Sequence, residues 1–208
     1  LHNFCAVDLS SLYLDMRKDC LYTFAEDSRQ RRSAQTALYH LLVTIVKMMA
    51  PIIAHTSEEA WQGLGGDEGR GSIHLQDWPS PDDIWEDVEL NQVFQDLLDL
   101  RDRVTKALED KRVQKEIGTS LEAAVKISVP PSMAANIKER EDLLPTLFIV
   151  SDVEVEYIDK EDEVQVEVGK ARGGKCSRCW NYRASVGENQ DHPEICDRCL
   201  EVVSSLPI

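Results

Sequence analysis

The stretch Cys176-Ser177-Arg178-Cys179, followed after sixteen intervening residues by Cys196-Asp197-Arg198-Cys199, determines how the C-terminal segment folds. Each pair of cysteines places two sulfur atoms on one tight turn, and the two turns together can surround a single Zn²⁺ tetrahedrally. Such a segment folds around its metal ion instead of around apolar side chains. Because four thiolates leave no open coordination position, the predicted site is structural and not catalytic.

Two other interpretations of these cysteines stay open at this point. Paired disulfides are one, but oxidised secreted domains are short and dense in cysteine, whereas this chain has six cysteines in 208 residues. An iron–sulfur cluster is the other, although the spacing differs from the common ferredoxin patterns. His192 could replace one thiolate, but we expect this loop residue to face solvent. Cys5 and Cys20 fall in a helical pattern and are expected to be small buried residues.

Composition and charge limit the classes of function. The net charge of −15 argues against general binding to nucleic acids, because phosphate contacts need local positive charge. The charge is uneven, however: residues 151–168 carry eight acidic residues and one lysine, whereas residues 170–183 carry five basic residues and no acidic one. This contrast indicates a local contact with a polyanion. No apolar run approaches membrane-spanning length, so we expect a soluble, cytoplasmic protein.

Hydrophobic periodicity predicts a mostly α fold. Through residue 117, apolar residues recur every three or four positions, which is typical of a helical bundle. Ser28 is a candidate N-cap, and Thr56 begins a pattern of capping-box form. A long helix is expected from about Ile84 until Gly118 ends it.

After Gly118 the pattern changes to that of a small α+β unit. Alternation over Leu121–Val129 predicts a strand with one buried face. Further strands are expected over Leu147–Val150, Val153–Ile158 and Val164–Val168. The chain therefore divides into a helical bundle (1–117), a small α+β subdomain (118–170) and a four-cysteine zinc segment (171–208). The sequence arranges no nucleophile with a base, and we assign no catalytic residue.

Basic residues and one tryptophan are candidates for contacts with nucleic acid. Trp180 could stack on an unpaired base, or it could cover the metal site as an apolar lid. Arg101, Arg112 and Lys115 fall on one side of the long helix and could contact phosphates, but acidic neighbours make a salt-bridged solvent face the alternative. The candidates from the basic segment are Lys175, Arg178 and Arg183.

A series of short motifs occurs in order along nearly the whole chain. It includes Asn3-Phe4-Cys5, Arg31-Arg32-Ser33, Met49-Ala50-Pro51-Ile52, Ile117-Gly118, Lys175-Cys176, Cys179-Trp180, His192-Pro193-Glu194-Ile195-Cys196 and Arg198-Cys199. Together these motifs resemble the anticodon-binding helical domain and C-terminal zinc segment of bacterial isoleucyl-tRNA synthetases. One departure is Cys20, where that family commonly has arginine.

The resemblance implies a class I synthetase that activates isoleucine with ATP and transfers it to isoleucine tRNA. The nucleotide-binding signatures and the editing domain of that class are missing from this sequence, and the chain opens inside a helical pattern. We therefore expect an N-terminally truncated fragment that is inactive alone, with one zinc per chain and ATP bound only by the parent's catalytic domain. The resemblance also implies that Arg178 and Trp180 contact the anticodon region of a tRNA, and that the parent is monomeric, with no DNA or membrane partner.

Rival functions give different expectations. The cysteine spacing also resembles the C-terminal finger of formamidopyrimidine-type DNA glycosylases, but those enzymes need an N-terminal catalytic proline and a strongly basic groove. A structural zinc module that mediates protein contacts is the second rival. A synthetase for valine or leucine is a closer alternative, although the terminal four-cysteine segment favours isoleucine.

Overall fold

A computed structural model describes residues 1–65, 71–159 and 163–206. Its α-helices are α1 (Asp15–Thr23), α2 (Arg29–Met49), α3 (Ala54–Leu64), α4 (Val88–Val113), α5 (Pro131–Lys138), α6 (Leu144–Phe148) and α7 (Asp197–Ser204). Its strands are β1 (Ala123–Val129), β2 (Asp152–Tyr157), β3 (Gln165–Lys170), β4 (Gly174–Lys175) and β5 (Tyr182–Arg183). A π-helix over Phe4–Leu14 leads into α1, and short 3₁₀ turns lie at Ile73–Leu75, Asp83–Trp85, Ser120–Glu122 and Glu141–Leu143. The mostly α fold with a small mixed sheet is confirmed.

Residue contacts divide the chain into two compact units. One is Glu26–Asp87, and the other combines Leu1–Ala25 with Val88–Ile208. This division groups the first helices with the C-terminal half of the chain, a long-range association that no local pattern reveals. The domain boundaries that the sequence predicts after residues 117 and 170 are based on changes in residue pattern, and they stay a prediction.

The unit Glu26–Asp87 is built from α2 and α3. The Ser28 hydroxyl accepts a hydrogen bond from the Arg31 backbone N–H at 3.3 Å, which confirms the predicted N-cap of α2. The capping box at Thr56 is wrong, because α3 already begins at Ala54. The buried residues of this unit's core are Val46, Ala50, Trp61 and Ile73. The loop predicted over Gly63–Ser72 lies partly outside the described residues, and α3 runs to Leu64.

The second unit is organised by a three-stranded sheet with strand order β2-β1-β3. Strand β1 pairs parallel with β2 and antiparallel with β3, so Val125 lies beside Val153 on one side and Val168 on the other. Every second residue of β1 is buried, as the alternating sequence predicted. The face of α4 that carries Leu97, Leu100, Val104 and Leu108 is buried in the same core.

Three details of this unit differ from the sequence prediction. The stretch Leu147–Val150 is not a strand, because Leu147 and Phe148 form the end of helix α6 and Ile149 is its left-handed C-cap. The N-terminal turn of α6 contains Pro145, a residue favoured at the start of a helix. Periodicity alone does not distinguish a short buried strand from a short helix. The long helix α4 begins at Val88 and ends at Val113, well before Gly118. The left-handed residue that follows it is Lys115, with φ of 61°.

The helices of the described residues differ widely in length and polarity. In that part of the chain, none combines the length and the apolar character needed to cross a bilayer.

Candidate metal centre and nucleic-acid interface

The two cysteine pairs lie on a small hairpin and at the start of a helix, which together we call the knuckle (residues 173–204). Strands β4 and β5 pair antiparallel, and the turn between them carries Cys176 and Cys179. Cys196 is the N-cap residue of α7 and Cys199 lies in its first turn. Gly173 precedes the hairpin with φ of 89°, and a Cβ there would lie 2.2 Å from the Arg183 carbonyl oxygen. Glycine is therefore required where the hairpin closes.

The four sulfur atoms form a group suited to a tetrahedral metal ion. All four lie within 4.8 Å of one another, and their side chains are buried. Cys179 Sγ and Cys196 Sγ are 3.8 Å apart. A tetrahedron with Zn–S distances of about 2.3 Å has S···S edges of roughly 3.8 Å. A disulfide bond would be about 2.05 Å long, so this geometry fits a shared metal ion and not a sulfur–sulfur bond. His192 is exposed, as expected.

The thiols differ in how readily they ionise. Burial opposes ionisation of Cys176, but backbone N–H groups of Cys179, Cys196 and Arg178 outweigh it and lower the Cys176 pKa to about 6. Burial raises the pKa of Cys199 to about 12, against a hydrogen bond from Arg178 that favours the thiolate. Burial likewise raises the pKa of Cys196. A divalent cation would supply the positive charge that a complete set of thiolates needs, and binding it would release protons.

The backbone of the first turn directs Trp180 away from the sulfurs. Trp180 has a left-handed backbone with φ of 66°, and its N–H donates to the Cys176 carbonyl at 2.9 Å. Its side chain is 61% exposed, and Lys175 Nζ lies 5.6 Å from the ring centroid. The buried residue beside it is Asn181, whose side chain donates to the Cys179 carbonyl at 3.3 Å. The indole is therefore presented to solvent, an arrangement that does not fit a buried lid over the metal site.

A cleft of about 710 Å³ lies between α1, α6 and the knuckle. Its aromatic lining includes Trp180 and Tyr22, and Tyr22 is 76% exposed. Arg183 lines it from β5. The volume falls within the range of ordinary small-ligand sites, so an unstacked base would fit. Sequence reasoning missed Tyr22 and assigned it no role.

The predicted basic residues are not all available for an external partner. Arg101 Nε donates to the Leu147 carbonyl at 3.0 Å. Arg112 bonds Glu109 and the Ser120 hydroxyl, which fits the salt-bridged alternative for this face of α4. Lys175, Arg183 and Lys115 are exposed. Among the described residues, the cleft lining includes Arg178 and Arg183 but none of the three candidates from the α4 region.

Arg178 faces inward. It donates from Nη1 to the Thr23 carbonyl at the end of α1, and the same nitrogen lies 3.6 Å from Cys199 Sγ. Arg198 makes two hydrogen bonds with Asp19, at 2.6 and 2.8 Å. Burial opposes the charge on Arg198, but the bonds with Asp19 outweigh it and raise the pKa of Arg198. Sequence reasoning assigned no role to Arg198 or Asp19, because their positions are 179 residues apart.

Two family models match the chain. The model described as "Anticodon-binding domain of tRNA ligase" matches residues 1–127, and the model described as "Zinc finger found in FPG and IleRS" matches residues 173–202. The second match covers all but the last two residues of the knuckle and includes all four cysteines of the sulfur group.

Curated relatives agree with these matches. Similar proteins named isoleucine–tRNA ligase occur in Caldicellulosiruptor bescii, with 42% identity over 99% of this chain, and in Syntrophotalea carbinolica, with 42% identity over 98% of it. The Oceanobacillus iheyensis protein named isoleucine–tRNA ligase 1 is 41% identical over 98% of this chain. The chain spans 22 to 23% of the length of these relatives.

These similarities decide between the competing interpretations. The glycosylase alternative is wrong, because the helices that precede the zinc finger match an anticodon-binding domain and the relatives that match nearly the whole chain are named isoleucine–tRNA ligase. The predicted resemblance is confirmed over nearly the whole chain. The chain belongs to the family of anticodon-binding domains of tRNA ligases, with a C-terminal zinc finger of the isoleucine–tRNA ligase type.

Proposed function

We propose that this chain is the tRNA-reading part of an isoleucine–tRNA ligase, which attaches isoleucine to its tRNA with ATP. The relatives that support this are more than four times as long as the chain, because it spans 22% of their length. Activation, transfer and editing would reside in the remainder of such a protein, and the chain alone would bind tRNA without charging it. The parent would be a cytoplasmic monomer without a DNA or membrane partner.

The observation that carries the proposal is the exposed indole of Trp180 at the rim of the cleft. Single-stranded RNA is recognised through unstacked bases, and an aromatic side chain held by a rigid turn is suited to stack on one. Lys175 and Arg183 are exposed on the two adjacent strands and can contact phosphates. These positive charges are local, so a net charge of −15 on the whole chain does not prevent the contact.

Cys176, Cys179, Cys196 and Cys199 would hold one zinc ion per chain. The 3.8 Å separation of two of the sulfurs supports this ligand set. With four protein ligands the ion would stabilise the knuckle and take no part in chemistry. The turn that carries Trp180 would then depend on the metal for its shape.

The helical residues 1–117 would take the anticodon stem and loop, residues 118–170 would connect them to the zinc segment, and residues 171–208 would complete the loop-binding surface. Lys115 is exposed and, of the three basic candidates near α4, would reach a phosphate most readily. Arg101 and Arg112 would have to leave their present hydrogen bonds to reach a phosphate.

The test is a titration of the zinc-loaded chain with isoleucine tRNA, for the natural chain and for Trp180→Ala. Loss of stacking on one base is expected to weaken binding by roughly 5- to 150-fold, because such a contact contributes about 1–3 kcal/mol. The matched control is Tyr157→Ala, since Tyr157 is 39% exposed and lies in β2, outside the two segments proposed to contact the tRNA. Zinc content is expected to be the same in all three proteins.

A tRNA with an altered anticodon tests whether binding depends on the anticodon bases or only on electrostatic attraction to any tRNA. We expect the natural chain to bind this altered tRNA more weakly than the cognate tRNA. The Trp180→Ala variant should discriminate less between the two tRNAs. Equal affinity for both tRNAs would favour a structural zinc module, and a preference for valine or leucine tRNA would favour a neighbouring synthetase.

A further inference from the structure

A zinc ion bound by four thiolates leaves two negative charges inside the knuckle. The four cysteine side chains are between 0 and 8% exposed, so water does little to stabilise these charges. Burying uncompensated charge is costly unless hydrogen bonds or opposite charges are provided. The surroundings of the sulfur group should therefore contain cations.

Arg178 is the first such cation. It lies between Cys176 and Cys179 in the chain, and its Nη1 is 3.6 Å from Cys199 Sγ. The same nitrogen donates to the Thr23 backbone carbonyl, at the last residue of α1. A cation is favourable at the C-terminus of a helix, where the backbone carbonyls carry partial negative charge. One guanidinium thus connects a metal ligand to the end of α1.

Arg198 is the second cation and reaches the same helix. Its two terminal nitrogens bond both carboxylate oxygens of Asp19, at 2.6 and 2.8 Å. Its guanidinium carbon lies 4.8 Å from the centroid of the Phe24 ring. A planar guanidinium suits this combination of paired hydrogen bonds and ring contact, which an ammonium group would not reproduce. Arg198 directly precedes Cys199, one of the four cysteines of the sulfur group, in the chain.

Both arginines therefore lie next to predicted metal ligands, and both side chains contact the short stretch from Asp19 to Phe24 at the end of α1. We propose that Arg178 and Arg198 are positioning residues that balance the charge of the zinc-bound thiolates and, through the same guanidinium groups, hold the knuckle on the end of α1. Zinc binding and attachment of the knuckle to α1 are then linked. By thermodynamic reciprocity, any factor by which zinc favours attachment is the factor by which attachment favours zinc.

The inference rests on the zinc site of the proposed function and changes the role of Arg178. Its guanidinium organises the cleft instead of contacting RNA, since the cleft is lined on one side by α1 and on the other by the knuckle. Loss of zinc would separate these two walls and remove the surface that carries Trp180.

The first experiment measures zinc affinity by competition with a chromogenic chelator, in the full 208-residue chain. Arg178→Gln and Arg198→Gln are expected to weaken zinc binding by roughly 10-fold or more, because residues that support metal ligands typically contribute 10- to 100-fold. The control is Arg172→Gln, which removes an exposed arginine of the same basic segment. Its zinc affinity should stay within about twofold of the natural chain.

The second experiment follows hydrogen exchange at the end of α1 with and without zinc. In the natural chain, chelation should accelerate exchange of these amides while leaving α2 in the other unit unchanged. In Arg198→Lys the charge remains but the paired hydrogen bonds to Asp19 are lost. This variant should therefore recover only the part of the zinc affinity that charge supplies, and the end of α1 should exchange faster than in the natural chain with zinc bound.

The outcomes distinguish this inference from the proposed function. Zinc affinities of Arg178→Gln and Arg198→Gln equal to that of Arg172→Gln would overturn the inference, as would α1 exchange that is indifferent to zinc. A chain that binds no zinc would overturn both the inference and the proposed metal site. Failure to bind tRNA would leave the zinc and exchange results standing and would contradict only the RNA-binding proposal.

Discussion

The sheet core and the knuckle belong to the same compact unit but are held together by different means. The sheet core contains fourteen buried apolar residues, contributed by α4, β1, α5, α6 and the loops that join them. The buried cluster of the knuckle consists of four cysteines. Two partly buried residues, Val186 and Ile195, pack against it. Burial of apolar surface stabilises the first region, whereas the second buries little apolar surface, and we expect it to need a bound ion in order to fold.

This difference explains why the knuckle can present polar and aromatic groups at its surface. A region stabilised by a metal ion does not need its aromatic residues inside. The knuckle's Trp180 is 61% exposed, whereas the Glu26–Asp87 unit buries Trp61 completely. Recognition groups can thus be placed on a rigid turn at little cost in stability, provided that the metal is present.

The largest expected effect comes from removing the metal. Chelation should unfold residues 173–204 and leave the sheet core folded, because zinc binding supplies on the order of 10 kcal/mol to small finger domains at neutral pH. Hydrogen exchange resolves the two regions: amides of the knuckle should lose protection, and those of β1 should keep it. Restoring zinc serves as the control and should restore protection. Full protection of the knuckle without metal would contradict the comparison.

A substitution that creates a cavity in the sheet core should destabilise that core and leave the metal site unaffected. Ile127→Ala, at a fully buried position of β1, is expected to lower the free energy of unfolding by roughly 2–5 kcal/mol. Urea denaturation measures this loss, and zinc stoichiometry should not change. Ile84→Ala is the matched control, because Ile84 is 81% exposed and should alter stability by less than about 0.5 kcal/mol. Equal effects of both variants would show that β1 is not central to the core.

The features that the sequence predicted correctly are those encoded within a few residues. The spacing of the two cysteine pairs predicted the sulfur group, and the alternation over Leu121–Val129 predicted the central strand, because both patterns are local. The N-cap at Ser28 is likewise a local signal. The short run Leu147–Val150 was misassigned, because it is apolar in either conformation and only tertiary packing distinguishes them.

The roles of the arginines were beyond sequence reasoning for a different reason. Arg178 and its partner Thr23 are separated by 155 positions, and the motif around Arg178 predicts a surface contact as readily as an internal one. Trp180 differs from Arg178 in that its side chain faces outward. Its backbone is left-handed, and no pattern of residue types predicts that value of φ.

Backbone geometry offers a smaller test within the knuckle. Gly173→Ala is expected to destabilise the zinc-loaded knuckle by roughly 3 kcal/mol, because the new Cβ would lie 2.2 Å from the Arg183 carbonyl oxygen in a left-handed residue. Gly187→Ala is the matched control: φ there is 98°, but nothing lies within 4 Å of the added Cβ. It should cost about 1 kcal/mol. Chelator competition and thermal unfolding measure both, and equal losses would mean that the hairpin tolerates the close approach.

The smallest expected effect concerns the junction between the two regions. Ser151 is 2% exposed; its hydroxyl donates to the Leu121 carbonyl at 2.5 Å and accepts from the Tyr182 N–H at 2.7 Å. Ser151→Ala leaves both backbone groups without this partner, which should cost about 1–2 kcal/mol. Ser205→Ala removes an exposed hydroxyl and is the control. If the regions are stabilised separately, the Tyr182 amide should exchange faster while zinc affinity stays the same. A parallel loss of zinc would instead show that the sheet core supports the metal site through this one hydroxyl.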